Sequence, residues 1–133
     1  MRLAPLSREL ERLSENNSDD VRWKNKLRKI RRREMLRIAL KDISLQMPMV
    51  MIVSDLSTLA MAIVQAALDR AWMRTREKED PVLIGRLESH FCLVAMGKLG
   101  GSELNYSSDI DLIPLFDESE VQSIPEAKQI YKK

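Results

Sequence analysis

Asp109 and Asp111, a short way beyond a cluster of glycines, are the residues whose types and spacing best fit chemistry. The stretch from Ala95 to Phe116 reads AMGKLGGSELNYSSDIDLIPLF. An apolar run ends at Gly97, the turn Gly97-Lys98-Leu99-Gly100-Gly101 follows, and Ser102-Glu103-Leu104-Asn105 leads on toward Asp109-Ile110-Asp111. Gly100 and Gly101 have no Cβ, so backbone N–H groups can approach an anion closely. A helical turn starting at Ser102 would add a favourable dipole for phosphate. On a strand, residues two apart point to one face, so both carboxylates can share a Mg²⁺ or bridge two. Metals held in this way polarise a phosphate and stabilise its entering and leaving oxygens. A bare Asp-x-Asp is a weak signal. A glycine, eleven residues and then Asp-x-Asp, with strand-length apolar runs on both sides, is far more specific.

Composition narrows the other chemistries. The chain has 133 residues, 44% of them hydrophobic, which is one domain's worth and enough to bury a core. A single cysteine, Cys92, excludes an internal disulfide framework and an all-cysteine zinc site. A single histidine, His90, excludes an HExxH site and serves a Ser/His/Asp triad poorly. No run approaches the roughly 18 uninterrupted apolar residues of a membrane span, and MRLAPLSREL lacks the apolar centre of a signal peptide. A reducing, cytoplasmic setting without a membrane is the expectation.

The elements that must position the aspartates follow from periodicity and caps. Residues 3–15 read as a short amphipathic helix broken at Asn16-Asn17-Ser18. Ser18 or Asp19 caps a second helix over about 20–46 that stops before Pro48. Trp23, Leu27, Ile30, Ile38 and Leu45 share one face of it, and Leu36, Leu40, Ile43 and Met47 lie nearly opposite. Its second half should therefore be buried on two sides. Ser54 or Asp55 caps a third helix over about 56–78, whose stripe is Leu56, Leu59, Ala60, Ile63, Ala67 and Ala71, widened by Val64, Leu68 and Trp72. Pro81 ends that run. Phe91–Met96 reads as a strand buried on both faces, and Ile110–Phe116 as a second strand entered through Asp109. Residues 118–133 read as a polar tail, with a helix over about 123–131. The fold class is α+β: long helices leading into a nucleotide-handling core with two predicted strands.

Residues 22–41 hold ten Lys or Arg against one acid, Glu34, while the whole chain carries only +2. The basic stripe reads first as a solvated helix face, and secondly as a contact for an acidic protein surface. Nucleic acid is disfavoured because no aromatics are interleaved for base stacking. Glu34 reads as a local ion pair, His90 as a strand-entry residue, and Cys92 as a small buried hydrophobe. The methionines read as core fillers and Trp23 and Trp72 as packing anchors.

From Gly97 through Asp117 the sequence closely resembles the catalytic core of the glutamine-synthetase adenylyltransferase family, within the DNA polymerase beta-like nucleotidyltransferase superfamily. The matching string is GKLGGSELNYSSDIDLI, and RRREMLRIALKDI upstream resembles the helix before that core. Members carry two such cores. The Glu-Leu-Asn-Tyr-Ser-Ser form and the Arg-Glu-Met helix resemble the N-terminal, adenylyl-removing one, which cleaves adenylyl-tyrosine by phosphorolysis and releases ADP. The other core moves AMP from ATP to the tyrosine. The resemblance implies that Asp109 and Asp111 are the catalytic, metal-binding carboxylates. It implies that Gly97, Lys98, Gly100, Gly101, Ser102 and Ser108 bind the nucleotide, with Asn105 beside them. It also implies Mg²⁺ as cofactor, ATP or ADP as substrate or product, glutamine synthetase as target, and a PII signal protein as regulator.

Two departures stand out. Pro114 occupies a place where the family has an aromatic or aliphatic residue, and proline removes a ladder donor. The superfamily also uses a third carboxylate on a later strand, which these 133 residues do not reach; Glu118, Glu120 and Glu126 are poor substitutes. The expectation is a truncated member: residues 1–80 a helical lead-in, 81–133 the N-terminal part of the catalytic domain, and the isolated chain inactive. Two alternatives are a PII uridylyltransferase-like enzyme and a non-catalytic helical interaction module.

Overall fold

The computed structural model describes residues 3–15, 19–124 and 127–131, and helices hold most of them. The order is α1 (Leu3–Glu15), α2 (Asp20–Leu45), α3 (Met49–Arg76), α4 (Pro81–Ser89), β1 (Phe91–Ala95), α5 (Gly97–Gly100), β2 (Leu112–Phe116), α6 (Glu118–Ser123) and α7 (Ala127–Ile130). The class is α+β, as the sequence predicts. The expected break at Asn16-Asn17-Ser18 lies outside the described residues.

Asp19 starts α2: its carboxylate accepts the Arg22 N–H at 2.8 Å, answering one of the donors a helix start leaves open. Gln46, in the left-handed region at φ 46°, stops it. α1, α2 and α3 bury Leu6, Leu10, Leu13, Trp23, Ile30, Ile38, Ile52, Leu56 and Leu59 in one core, which Leu99 and Leu104 join from the glycine-rich segment. A second cluster gathers Trp72, Ile84, Leu87, Ile124, Ala127 and Ile130. Around it Phe91 and Tyr131 stack at 5.6 Å, Phe116 and Tyr131 at 5.0 Å, and Trp72 meets Phe91 edge-on at 5.4 Å.

β1 and β2 pair antiparallel, Phe91 opposite Phe116 and Ala95 opposite Leu112. Met96 N–H donates to Asp111 O, and Asp117 N–H to His90 O. Hydrogen-bonded pairs therefore alternate from 96/111 to 90/117, which makes Leu93 opposite Pro114 a non-bonded pair. The missing N–H of Pro114 faces the outer edge of β2, so proline costs this ladder nothing and the strand runs through it.

Several expectations are corrected. α3 begins at Met49 behind Pro48, with no side-chain cap; Ser54 and Asp55 lie inside it. Asp55 instead takes the Lys41 ammonium at 2.6 Å, tying α3 to α2. The buried stripe of α3 runs through Ile52, Leu56, Leu59, Ala66 and Arg70, while Ala67 and Ala71 are exposed. α3 is long and apolar enough to cross a membrane by length and composition; here that stripe lines the core. Pro81 starts a helix, α4, as its first residue behind the Asp80 cap, the usual tolerated place for proline. The sheet is not covered on both sides: β1 alternates, with Cys92 exposed and Val94 36% exposed. The second half of α2 is buried on one side only, for Leu36, Leu40, Ile43 and Leu45 are all exposed. Met49, Met51, Met61 and Met96 are likewise exposed and fill no core. The segment after β2 forms α6 and α7, and its Ile124, Ala127 and Ile130 are buried, so it is no purely polar tail. Trp23 and Trp72 are buried as anchors, and Glu34 is paired by Arg33 and Arg37.

Candidate active site

Gly97 turns the chain at the end of β1. Its φ of +57° lies in the region that favours glycine. A single helical turn, α5, follows at once and folds back on the strand. Gly100 is what permits this: a Cβ there would stand 2.4 Å from Ala95 O. The demand for glycine at position 100 is thus close packing of the turn against the strand end.

The expectation that Ser102 opens a helical turn is corrected. The turn opens at Gly97, and Ser102 follows it at φ 58°. The N–H groups of Gly100, Gly101, Ser102 and Glu103 donate to Met96, Gly97, Leu99 and Lys98 carbonyls at 2.7–3.1 Å. They are committed to the turn. The first-turn groups, at Gly97, Lys98 and Leu99, are those a helix start leaves unanswered. Lys98 is exposed beside them.

Asp109 and Asp111 do not lie in the strand, a second correction: β2 begins at Leu112, and both aspartates are exposed on the segment leading into it. The Asp111 carbonyl still holds Met96 N–H at 2.9 Å, which fixes this segment against the end of β1. The Asp111 carboxylate stands over Gly97, its Oδ2 3.7 Å from where a Cβ would sit. Asp109 lies two residues upstream and is exposed. It borders a cavity of about 280 Å³ with Arg31 of α2, Ser108, Asn105 and Tyr106, floored by Leu56, Leu59 and Ala60 of α3. Gly97–Ser102 does not line that cavity.

Asn105 organises the approach to Asp109. Its Oδ1 accepts the Ser108 hydroxyl at 2.6 Å and the Ser107 N–H at 3.2 Å, and its own N–H donates to Ser108 Oγ at 3.1 Å. Ser108 thus holds the turn that presents Asp109. Two further residues anchor this loop, and neither stood out in the sequence. Ser57, buried in α3, donates to Val53 O at 2.8 Å and accepts the Leu104 N–H at 3.0 Å. Tyr106 donates to Asp42 of α2 at 3.2 Å; burial, then that carboxylate, raises the phenol's pKa. A small polar residue on an otherwise apolar helical stripe was the one available signal for Ser57. Arg31 was legible as part of the basic stripe but not as a neighbour of Asp109.

Asp111, over the turn, and Asp109, at the neighbouring cavity, are exposed carboxylates, hard oxygen ligands of the kind Mg²⁺ takes one or two of while keeping waters. Among the described residues, no three metal-capable side chains come together.

The chain is an α+β protein of the nucleotidyltransferase class. The family model for glutamate-ammonia ligase adenylyltransferase matches residues 2–132. The chain belongs to that family, whose target, glutamate-ammonia ligase, is glutamine synthetase. Its role is accordingly of the adenylyltransferase type, in the regulation of glutamine synthetase.

Proposed function

We propose that this chain supplies part of the adenylyl-removing site acting on adenylylated glutamine synthetase in the cytoplasm. The reading rests most on the Asp111 carboxylate standing over Gly97, where the glycine-rich turn begins. That juxtaposition would bring a phosphate-holding turn and a metal-holding carboxylate to one point. Residues 1–80 act as the helical lead-in, and 81–133 as the N-terminal part of the catalytic domain.

In the reaction, an oxygen of inorganic phosphate attacks the adenylyl phosphorus. The bond from phosphorus to the tyrosine oxygen breaks, that oxygen leaves with the electron pair and takes up a proton, and ADP is released. Asp109 and Asp111 would hold Mg²⁺, which supplies charge neutralisation for the phosphates. Gly97, Lys98 and Leu99 orient phosphate through the turn, while Gly100, Gly101 and Ser102 shape the turn. Ser108, through Asn105, positions Asp109. Lys98 adds a positive charge at the phosphate side. Regulation by a PII signal protein goes with this reading.

The experiment supplies adenylylated glutamine synthetase, phosphate and Mg²⁺ to the family enzyme carrying this site and follows ADP release. Asp109→Asn with Asp111→Asn should abolish nucleotide binding and turnover together. Retention of both would overturn the site assignment.

A further inference from the structure

We propose that the bare face of α2 is a docking site for an amphipathic, acidic α-helix. Leu36, Leu40 and Ile43 are 62%, 54% and 77% exposed. Their four-three spacing, at 100° per residue, keeps them within roughly 60° of one another. They lie opposite Trp23, Ile30, Glu34 and Ile38, the side that α2 buries. A stripe of this spacing matches the ridge of another helix, and neither a strand nor a loop repeats its side chains in that way.

Charge decides the partner's character. One to two turns toward the N-terminus, the same face carries Lys29, Arg32 and Arg33. Arg33 is engaged by Glu9 at 2.5 Å and by Glu34. Lys29 and Arg32 are exposed and meet no carboxylate among the described residues. A helix seated on Leu36, Leu40 and Ile43 therefore passes over these cations, and carboxylates on its flank would meet them. The basic residues cluster beyond one end of the stripe and do not border it along its length, as a helix lying on a membrane would require. The face is also separate from the candidate active site, since Arg31 and Met35, which line the Asp109 cavity, project from another side of α2.

The test uses a synthetic helical peptide with leucines at four-three spacing and glutamates at one end, and a second in which lysines replace the glutamates. Both are titrated into the isotope-labelled 133-residue chain. The acidic peptide should bind saturably and shift the amides around 36–43, and Leu40→Asp with Ile43→Asp should abolish this without altering the thermal midpoint. Lys29→Glu with Arg32→Glu should weaken the acidic peptide by about tenfold and improve the lysine peptide. Equal binding of the two peptides, or no binding, would overturn the proposal. So would either of two other occupants: concentration-dependent dimers that Leu40→Asp and Ile43→Asp disperse, or binding to anionic vesicles through the same residues.

Discussion

Replacing Ser57 by alanine would leave the buried Leu104 N–H without the acceptor it now has at 3.0 Å. An unanswered buried donor costs about 1–3 kcal/mol, so Ser57→Ala should lower urea stability by that amount. A loss under about 0.5 kcal/mol would show that the loop is not hung from α3 by this bond. Two glycines give a matched comparison. Gly100→Ala forces a Cβ to within 2.4 Å of Ala95 O and should destabilise by about 1–3 kcal/mol. Gly85→Ala, in α4 with nothing within 4 Å of its Cβ, should be neutral or stabilise by up to about 1 kcal/mol. At this scale the sequence showed which residues cluster and much less of what each does. Gly100 was legible as a glycine beside an anion site, but its role in packing depends on where the turn meets Ala95, and residue type alone does not carry that.

Between elements, Lys41 and Asp55 join α2 to α3. Burial raises the Asp55 carboxyl's pKa, but positive charge, led by the Lys41 hydrogen bond, outweighs it and holds the group below its ordinary value. A depressed folded-state pKa contributes stability that is present above the unfolded value of roughly 4 and is lost as pH falls through the folded one. Thermal midpoints should therefore drop as pH falls below about 4, and the drop should shrink in Asp55→Asn. An unchanged acid limb in that variant would show that the pair contributes nothing to acid stability. Helix ends were legible where caps are local: Asp19 and Pro48 bound α2 within a residue or so of the expectation. They were misread where a cap residue serves tertiary structure. Ser54 and Asp55 look like a helix start, yet Asp55 is spent on Lys41. Asp80-Pro81 was read as a stop because proline ends helices, although it opens them equally well. The expectation of burial on two sides, for α2 and for β1, came from apolar pattern alone, and pattern does not say whether a neighbour is present.

Over the whole molecule, the first three helices and the glycine-rich segment share one core through Leu99 and Leu104, so these helices set the position of the glycine-rich loop. The α+β class was legible, and so was Asp-x-Asp as a contiguous motif, although its aspartates precede β2 and do not lie in it as expected. The cavity beside Asp109 was not, since Arg31, Leu56 and Ser108 come from three distant stretches. The purified 133-residue chain should turn over adenylyl-tyrosine slowly if at all, because its sheet has two strands among the described residues and such sheets hold a site loosely. Normal turnover by this chain would refute that expectation.

On the proposed reading, nucleotide phosphate and metal meet at Gly97 and Asp111. Paramagnetic line broadening by Mn²⁺ with ADP tests it directly, without requiring turnover. Broadening should concentrate on the amides of residues 97–100 and 109–111 and vanish in the chain carrying Asp109→Asn and Asp111→Asn. Equal broadening in that variant, or none at residues 97–100 in the original chain, would contradict the claim.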